Sequence, residues 1–172
     1  MSSYSSAFGT FSLKGTWSAS MLSKLNLLKS EWSALHYWTL IEDDFTPSAL
    51  TLPFTASGRS QYSFTLENLG VAGIDNVEAL ALLSNEMEAN NVYIEIDYVD
   101  EERTAEHLCK ATAHLRGVAG KLTCEEIAHE EYHYTRANFE LLGFEIEDSD
   151  WDDDDICPDC GEEWDDCTCE EE

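Results

Sequence analysis

Residues 92–102 read VYIEIDYVDEE, and this stretch decides the fold because apolar and polar residues alternate along it. In an extended chain the apolar residues would share one face, and Glu95 and Asp97 would share the other. Alternation with a period of two is typical of a β-strand that is buried on one face only. The stretch therefore predicts a strand of a half-covered sheet, with the apolar face formed by Val92, Ile94, Ile96 and Tyr98.

The segments on either side of this strand extend the pattern. After a turn at 100–103, the alternation resumes at Cys109, Ala111, Ala113 and Leu115, which predicts the second strand of a hairpin. Before it, residues 77–90 carry apolar side chains at helical spacing, and Asp75 and Glu78 resemble a capping box. We therefore expect helix, strand and strand in that order.

The N-terminal part gives a further set of predicted elements. An apolar stripe at helical spacing runs through Met21, Leu25, Leu28, Trp32 and Leu35, as in the core-facing side of a helix. A loop is expected over 42–53, where Pro47 and Pro53 interrupt the pattern. The predicted strands lie at 8–13, 36–41 and 60–66.

The last predicted element is a helix over 123–142, with Ile127, Tyr134 and Leu141 near one line of its surface. Two helices on one face of an antiparallel sheet give the most economical packing for this order of elements. The sequence therefore predicts an α+β fold: a ferredoxin-like antiparallel sheet with two helices on one face, an extra C-terminal helix and an acidic cysteine-rich tail. We expect a ferredoxin-like domain over 1–121, the helix and a linker over 122–148, and the tail over 149–172.

Three features between Tyr62 and Arg116 carry a resemblance to a known family: the run YSFTLEN, the helix over 77–90, and VYIEIDYVDEE with its returning strand. This region resembles the ferredoxin-like domain of YubB-type proteins of phages and plasmids. The resemblance covers about a third of the chain and implies an origin on a mobile element. It implies no catalytic residues.

The charge of the chain restricts the partners it can have. There are 36 acidic and 9 basic residues, for a net charge of −27, and no Lys or Arg follows Arg136. Such a field repels nucleic acid and anionic membranes and attracts basic protein surfaces. Solubility and adaptation to salt are alternative reasons for the same charge. The N-terminus lacks the pattern of a signal peptide, so we expect a cytoplasmic protein with reduced thiols.

The tail contains four clustered cysteines, in CPDCG followed by CTC. C-P-x-C-G is typical of a zinc knuckle, and the second pair completes four thiolates, the set that suits tetrahedral Zn²⁺. The sequence therefore predicts a structural zinc site, with free thiols or two disulfides as alternatives. The predicted ligands are Cys157, Cys160, Cys167 and Cys169.

Residues 129–133 read HEEYH, which matches the H-E-x-x-H pattern of zinc metalloproteases. On a helix, His129 and His133 would both face one ion, and Glu130 would act as general base. Glu131 and the acidic surroundings are unlike that motif, which favours a solvated helix face. A small zinc hydrolase is kept as an alternative function, with His129 and His133 as alternative metal ligands.

Two tryptophans lie in the acidic tail, Trp151 within the run that precedes the cysteines and Trp164 between the two cysteine pairs, and a purely solvating tail does not need them. Carboxylates along a surface can occupy the Lys and Arg sites that otherwise hold phosphates. The sequence therefore predicts a non-enzymatic binding protein for a basic, nucleic-acid-handling host protein, with a zinc-knuckle adaptor as a further alternative. The predicted partner-binding residues are Trp151, Asp152, Asp153, Asp154, Asp155 and Trp164.

Overall fold

The computed structural model describes residues 5–32, 38–58, 69, 76–102 and 106–144. Within these residues the fold is α+β, with a six-stranded antiparallel sheet and three helices. The strands are β1 (Ser5–Lys14), β2 (Trp38–Leu40), β3 (Thr51–Gly58), β4 (Tyr93–Glu102), β5 (His107–Val118) and β6 (Lys121–Glu131). The helices are α1 (Ala19–Trp32), α2 (Val77–Asn90) and α3 (Arg136–Leu141).

The strands are ordered β2-β3-β1-β4-β5-β6 across the sheet, and all neighbouring strands run antiparallel. Residues directly opposite each other in such pairs have side chains on the same face. Phe11 lies opposite Ile96, and Ile96 lies opposite Ala113. We call the face that carries these three residues the inner face of the sheet.

The inner face forms the hydrophobic core together with α1 and α2. The Phe11 ring lies 5.9 Å from the Trp32 ring of α1, and Leu83 and Met87 of α2 are fully buried in the same core. Each fully buried side chain of this size adds about 1.5–3 kcal/mol. The buried apolar face predicted from the alternation in residues 92–102 is confirmed, since Ile94 and Ile96 are fully buried.

Helix α2 lies very close to the last two strands. A Cβ atom on Gly117 of β5 would be 2.1 Å from the Ser84 carbonyl oxygen, so the helix and the strand approach through a residue without a side chain. The Ser84 hydroxyl donates to the Lys121 carbonyl of β6 at 2.6 Å. These contacts fix α2 over the C-terminal end of β5.

The opposite face of the sheet, which we call the outer face, contacts the chain that follows β6. The Phe8 and Phe144 rings meet edge to face at 4.8 Å, and Phe144 also contacts Phe139 of α3. The Tyr134 hydroxyl donates to the Glu101 carboxylate at 3.1 Å. This aromatic group holds α3 against the outer face.

The predicted helix over 123–142 is wrong over most of its length. Residues Lys121–Glu131 form β6, which pairs with β5, and only Arg136–Leu141 is helical. Ala119 and Gly120 both have positive φ angles, as a two-residue hairpin turn requires, and this turn returns the chain along β5. Pairing with β5 thus overrides the helical propensity of the glutamates and the alanine in this segment. Cys124, which falls at the start of the predicted helix, lies in β6.

The loop predicted over 42–53 is also wrong at its end, because β3 begins at Thr51 and includes Pro53. Proline lacks a backbone N–H and is tolerated in strands where one side has no partner. Strand β2 pairs with Thr55, Ala56 and Ser57, so among the described strands Pro53 has only β1 as its neighbour. The strand predicted over 60–66 lies outside the described residues.

Strand β6 contains a β-bulge. Ala113 pairs with Glu126 and Thr112 pairs with Ala128, so Ile127 is an extra residue with no partner opposite it. A bulge of this kind changes which residues face each side of the sheet. Leu122, Cys124 and Glu126 lie on the inner face before the bulge; His129 and Glu131 lie there after it.

Candidate metal-binding site

Three side chains with metal-binding atoms come together on the inner face, at the end of the sheet where β4 ends and β5 begins. Asp100 belongs to β4, and His107 and Cys109 belong to β5. Asp100 lies directly opposite Cys109, and His107 precedes Cys109 by two residues on the same strand. The period of two therefore places all three on one face.

The three residues are close together and shielded from solvent. One ligand atom from each residue can be chosen such that all three lie within 4.8 Å of one another. The Nε2 atom of His107 lies 3.9 Å from Oδ2 of Asp100. Asp100 is 1% exposed and Cys109 is 2% exposed. A carboxylate, an imidazole and a thiol are all ligands of transition metals, so this group can hold a metal ion.

The environment of Cys109 and His107 favours their neutral forms. Burial, and then the nearby Asp100 carboxylate, raise the pKa of the Cys109 thiol to about 12, so the thiol is protonated at neutral pH. Burial also lowers the pKa of His107, and the Glu131 carboxylate opposes this effect. Tyr98, the next inner-face residue before Asp100 on β4, has its phenol pKa raised, mainly by burial. Without a cation, the site therefore presents a neutral thiol beside a mostly neutral imidazole.

Strand β6 supplies a second set of polar side chains next to this group. Glu131 lies opposite Cys109, and the His129 ring stacks on the His107 ring with 6.3 Å between the centroids. The Nδ1 atom of His129 is 3.1 Å from a Glu126 carboxylate oxygen, and its Nε2 atom is 3.5 Å from Glu131. Glu102, opposite His107, is buried as well. Carboxylates therefore lie around the imidazoles on this face.

The HEEYH segment does not form the helical site that its pattern indicates. His129 lies in β6, whereas His133 lies two residues beyond the end of that strand. The backbone carbonyl of His133 accepts hydrogen bonds from Thr135 N–H and from the Asn138 side chain in the turn before α3. The metalloprotease motif needs both imidazoles one helical turn apart. The helical hydrolase site is therefore a wrong prediction, and so is the solvated helix face.

The other predicted site residues lie outside the described part of the chain. They are the zinc-knuckle cysteines Cys157, Cys160, Cys167 and Cys169, and the partner-binding residues Trp151, Asp152, Asp153, Asp154, Asp155 and Trp164. These remain predictions.

The sequence interpretation missed the group formed by Asp100, His107 and Cys109. The alternation predicts a core position for Cys109, and the predicted turn at 100–103 includes Asp100, so neither pattern indicates a metal ligand. The available signal was the His-x-Cys spacing in a predicted strand, which places both side chains on one face. The hairpin register that brings Asp100 opposite Cys109 is not readable from spacing alone.

Comparison of the chain with models of protein families, with curated proteins and with solved structures gave no match. Within the described residues, no helix has the length and apolar character needed to cross a membrane. Function must therefore be inferred from the side chains and charges of the chain itself.

Proposed function

We propose that the protein is a non-enzymatic, acidic binding protein that engages a basic surface of another protein. The observation that carries this proposal is the charge on β6, the edge strand of the described sheet. This strand exposes four glutamates and one lysine, and most of its length is open to solvent. The four glutamates are Glu125, Glu126, Glu130 and Glu131.

The rest of the chain strengthens the same field. Of the 36 acidic residues, sixteen lie between Glu145 and Glu172, and that segment contains no Lys or Arg. Like charges that are concentrated on one molecule steer an oppositely charged partner and speed its association. A basic protein surface is therefore the partner that the charge favours, whereas nucleic acid and anionic membranes are repelled.

The partner class that we propose is a nucleic-acid-handling host protein. Its Lys and Arg side chains are arranged to hold phosphates, and a series of carboxylates can compete for them. In the tail, Asp152, Asp153, Asp154 and Asp155 would extend the acidic surface, and Trp151 and Trp164 would add apolar anchors. Such a protein would inhibit its partner by occupying the nucleic-acid site, which suits the mobile-element origin that the YubB-type resemblance implies.

Two finer assignments belong to the same proposal. We assign β1–β4 with α1 and α2 to a ferredoxin-like arrangement with both helices on the inner face, supported by the strand order β2-β3-β1-β4 and by the contact between α1 and α2. We assign one structural zinc ion to Cys157, Cys160, Cys167 and Cys169, supported by their spacing.

The test begins with capture of partners from host lysate at 0.1 M salt, followed by binding measurements with the purified pair. The Debye length falls from about 10 Å at 0.1 M to about 3 Å at 1 M, so the affinity should fall steeply over this range. Added DNA or RNA should displace the protein, because both ligands would use one basic surface. Trp164→Ala should speed dissociation, whereas Asp152–Asp155→Asn should slow association.

A matched pair of double variants tests the contribution of the edge strand. Glu125→Gln with Glu130→Gln should weaken binding at 0.1 M salt, because both residues are exposed on β6. Glu42→Gln with Asp43→Asn removes the same charge from an exposed loop and should weaken binding less. A partner whose binding ignores salt, nucleic acid and both double variants would refute the proposed function.

A further inference from the structure

We propose that Asp100, His107 and Cys109 bind one zinc ion, with a water molecule as the fourth ligand. The three protein donors are an oxygen, a nitrogen and a sulfur atom, which are the three ligand types that Zn²⁺ takes in proteins. The site lies in the sheet and is separate in sequence from the four tail cysteines. The proposal does not depend on the binding function proposed above.

The donor atoms are already close to the separations that a zinc ion needs. In a tetrahedral site with zinc–ligand bonds of about 2.0–2.3 Å, neighbouring ligand atoms are roughly 3.3–3.8 Å apart. Here all three donors lie within 4.8 Å of one another, and His107 and Asp100 are 3.9 Å apart. The separations would need to shorten by at most about 1–1.5 Å, which small side-chain rotations can supply without a change in the strands.

The backbone holds these donors in place. Asp100 and Cys109 are opposite partners in the antiparallel β4–β5 ladder, and His107 is on the same face two residues away. A site on two hydrogen-bonded strands is preorganised, which lowers the cost of ordering its ligands. Binding would join β4 to β5 at the end of their hairpin and would replace the proton of the Cys109 thiol.

The donor set also selects the class of ion. Mg²⁺ and Ca²⁺ take oxygen ligands. In this site only the carboxylate supplies oxygen, whereas the imidazole supplies nitrogen and the thiolate supplies sulfur. A thiolate with an imidazole favours zinc and similar transition metals. Two further carboxylates lie on the same face, since Glu102 is opposite His107 and Glu131 is opposite Cys109.

The experiment uses the full-length chain in which the four tail cysteines are replaced by serine, so that the knuckle cannot contribute. Titration with Co²⁺, a spectroscopic substitute for Zn²⁺, should give one bound ion per chain and a thiolate-to-cobalt charge-transfer band. Zinc should displace the cobalt and raise the thermal unfolding temperature, because it binds only the folded chain. Mg²⁺ at the same concentration should do neither.

Cys109→Ser in this background should abolish the charge-transfer band. Asp100→Asn and His107→Gln should each weaken zinc binding by more than the roughly 10–100-fold that is typical of losing a residue behind the ligands. Cys124→Ser is the matched control, because Cys124 is the other free cysteine of the described residues, and it should keep both the band and the affinity.

Circular dichroism of each variant separates a lost ligand from a lost fold. If Cys109→Ser does not fold, the two variants of His107 and Asp100 decide the question through their zinc affinity. The absence of one tightly bound cobalt ion per chain would overturn the proposal, as would a band that survives Cys109→Ser or is lost in Cys124→Ser.

Discussion

The two ends of strands β4 and β5 share one face of one sheet, and yet they bury opposite kinds of side chain. Under α2, the inner face carries Ile94 and Leu115, both fully buried. At the other end the same face carries Asp100, Cys109 and Glu102, which are buried as well. Apolar burial stabilises the first end, whereas burial of polar groups costs free energy unless they find partners. The apolar core therefore lies at one end of these strands, and the metal site that we propose lies at the other.

The largest expected effect comes from removing an apolar side chain at the α2 end. Leu115→Ala should lower the free energy of unfolding by about 2–5 kcal/mol, because it deletes buried methyl groups and leaves a cavity. In the presence of a chelator, His107→Ala at the polar end should lower the free energy of unfolding by less than Leu115→Ala does. Urea-induced unfolding measures both. Ile127→Ala, at a half-exposed position of β6, is the control and should stay within about 0.5 kcal/mol. If Leu115→Ala and His107→Ala lower the free energy of unfolding equally, the difference between the two ends is refuted.

The two cysteines of the described residues sharpen the comparison, since Cys109 lies at the polar end and the partly buried Cys124 lies opposite Leu115 at the apolar end. Burial raises the pKa of each thiol to about 12. Only the thiolate reacts, and a raised pKa keeps the thiol protonated, so alkylation at pH 8 should be slow for both in the native protein and should speed up as the pH rises. In urea the pKa returns to about 8.5 and both should react readily.

Zinc should change the reactivity of only one of the two thiols. Alkylation by iodoacetamide, followed by mass spectrometry, should show that zinc slows Cys109 further and leaves Cys124 unchanged. If Cys109 reacts equally fast in native protein and in urea, the described burial at the polar end is wrong.

The smallest expected effect concerns the HEEYH segment. Glu130 is exposed on β6, and Glu130→Gln removes one charge without changing any buried contact. Its free energy of unfolding should stay within about 0.5 kcal/mol of the parent value. A peptidase assay of the parent and variant proteins completes the test, and an activity that disappears in Glu130→Gln would restore a catalytic interpretation of this segment.

The parts of the fold that were predicted are those that a local period determines. The alternation over 92–98 and 109–115 identifies two strands and their buried faces, and the stripe over 77–90 identifies α2. Strand β6 was not predicted, because glutamate and alanine favour helices and the pairing that overrides them comes from β5. The tight turn at Ala119 and Gly120 joins β5 to β6, and its positive φ angles are seen in the structure and not in the sequence.

The candidate metal site likewise could be predicted only in part from a local period. A period places His107 and Cys109 on one face, but it does not say which residue of β4 lies opposite them. A shift of the register by one residue would place Glu101, rather than Asp100, opposite Cys109, and if β4 kept its buried face both side chains would lie on the outer face. The chemistry of the site therefore depends on a long-range pairing that the sequence alone does not specify.

The extra residue in β6, Ile127, reverses which alternate side chains face the inner side of the sheet. Before Ile127 the even-numbered residues point to the helices, and after it the odd-numbered residues do. In a regular ladder without the bulge, His129 would face away from His107, and Ala128 would take its place opposite Ala111. One unpaired residue thus decides whether the edge strand turns an imidazole and a carboxylate, or an alanine and Glu130, toward the polar end of the sheet. The two halves of β6 thus meet different surroundings, one matched to the apolar layer beneath α2 and the other to the polar group where we propose the metal site.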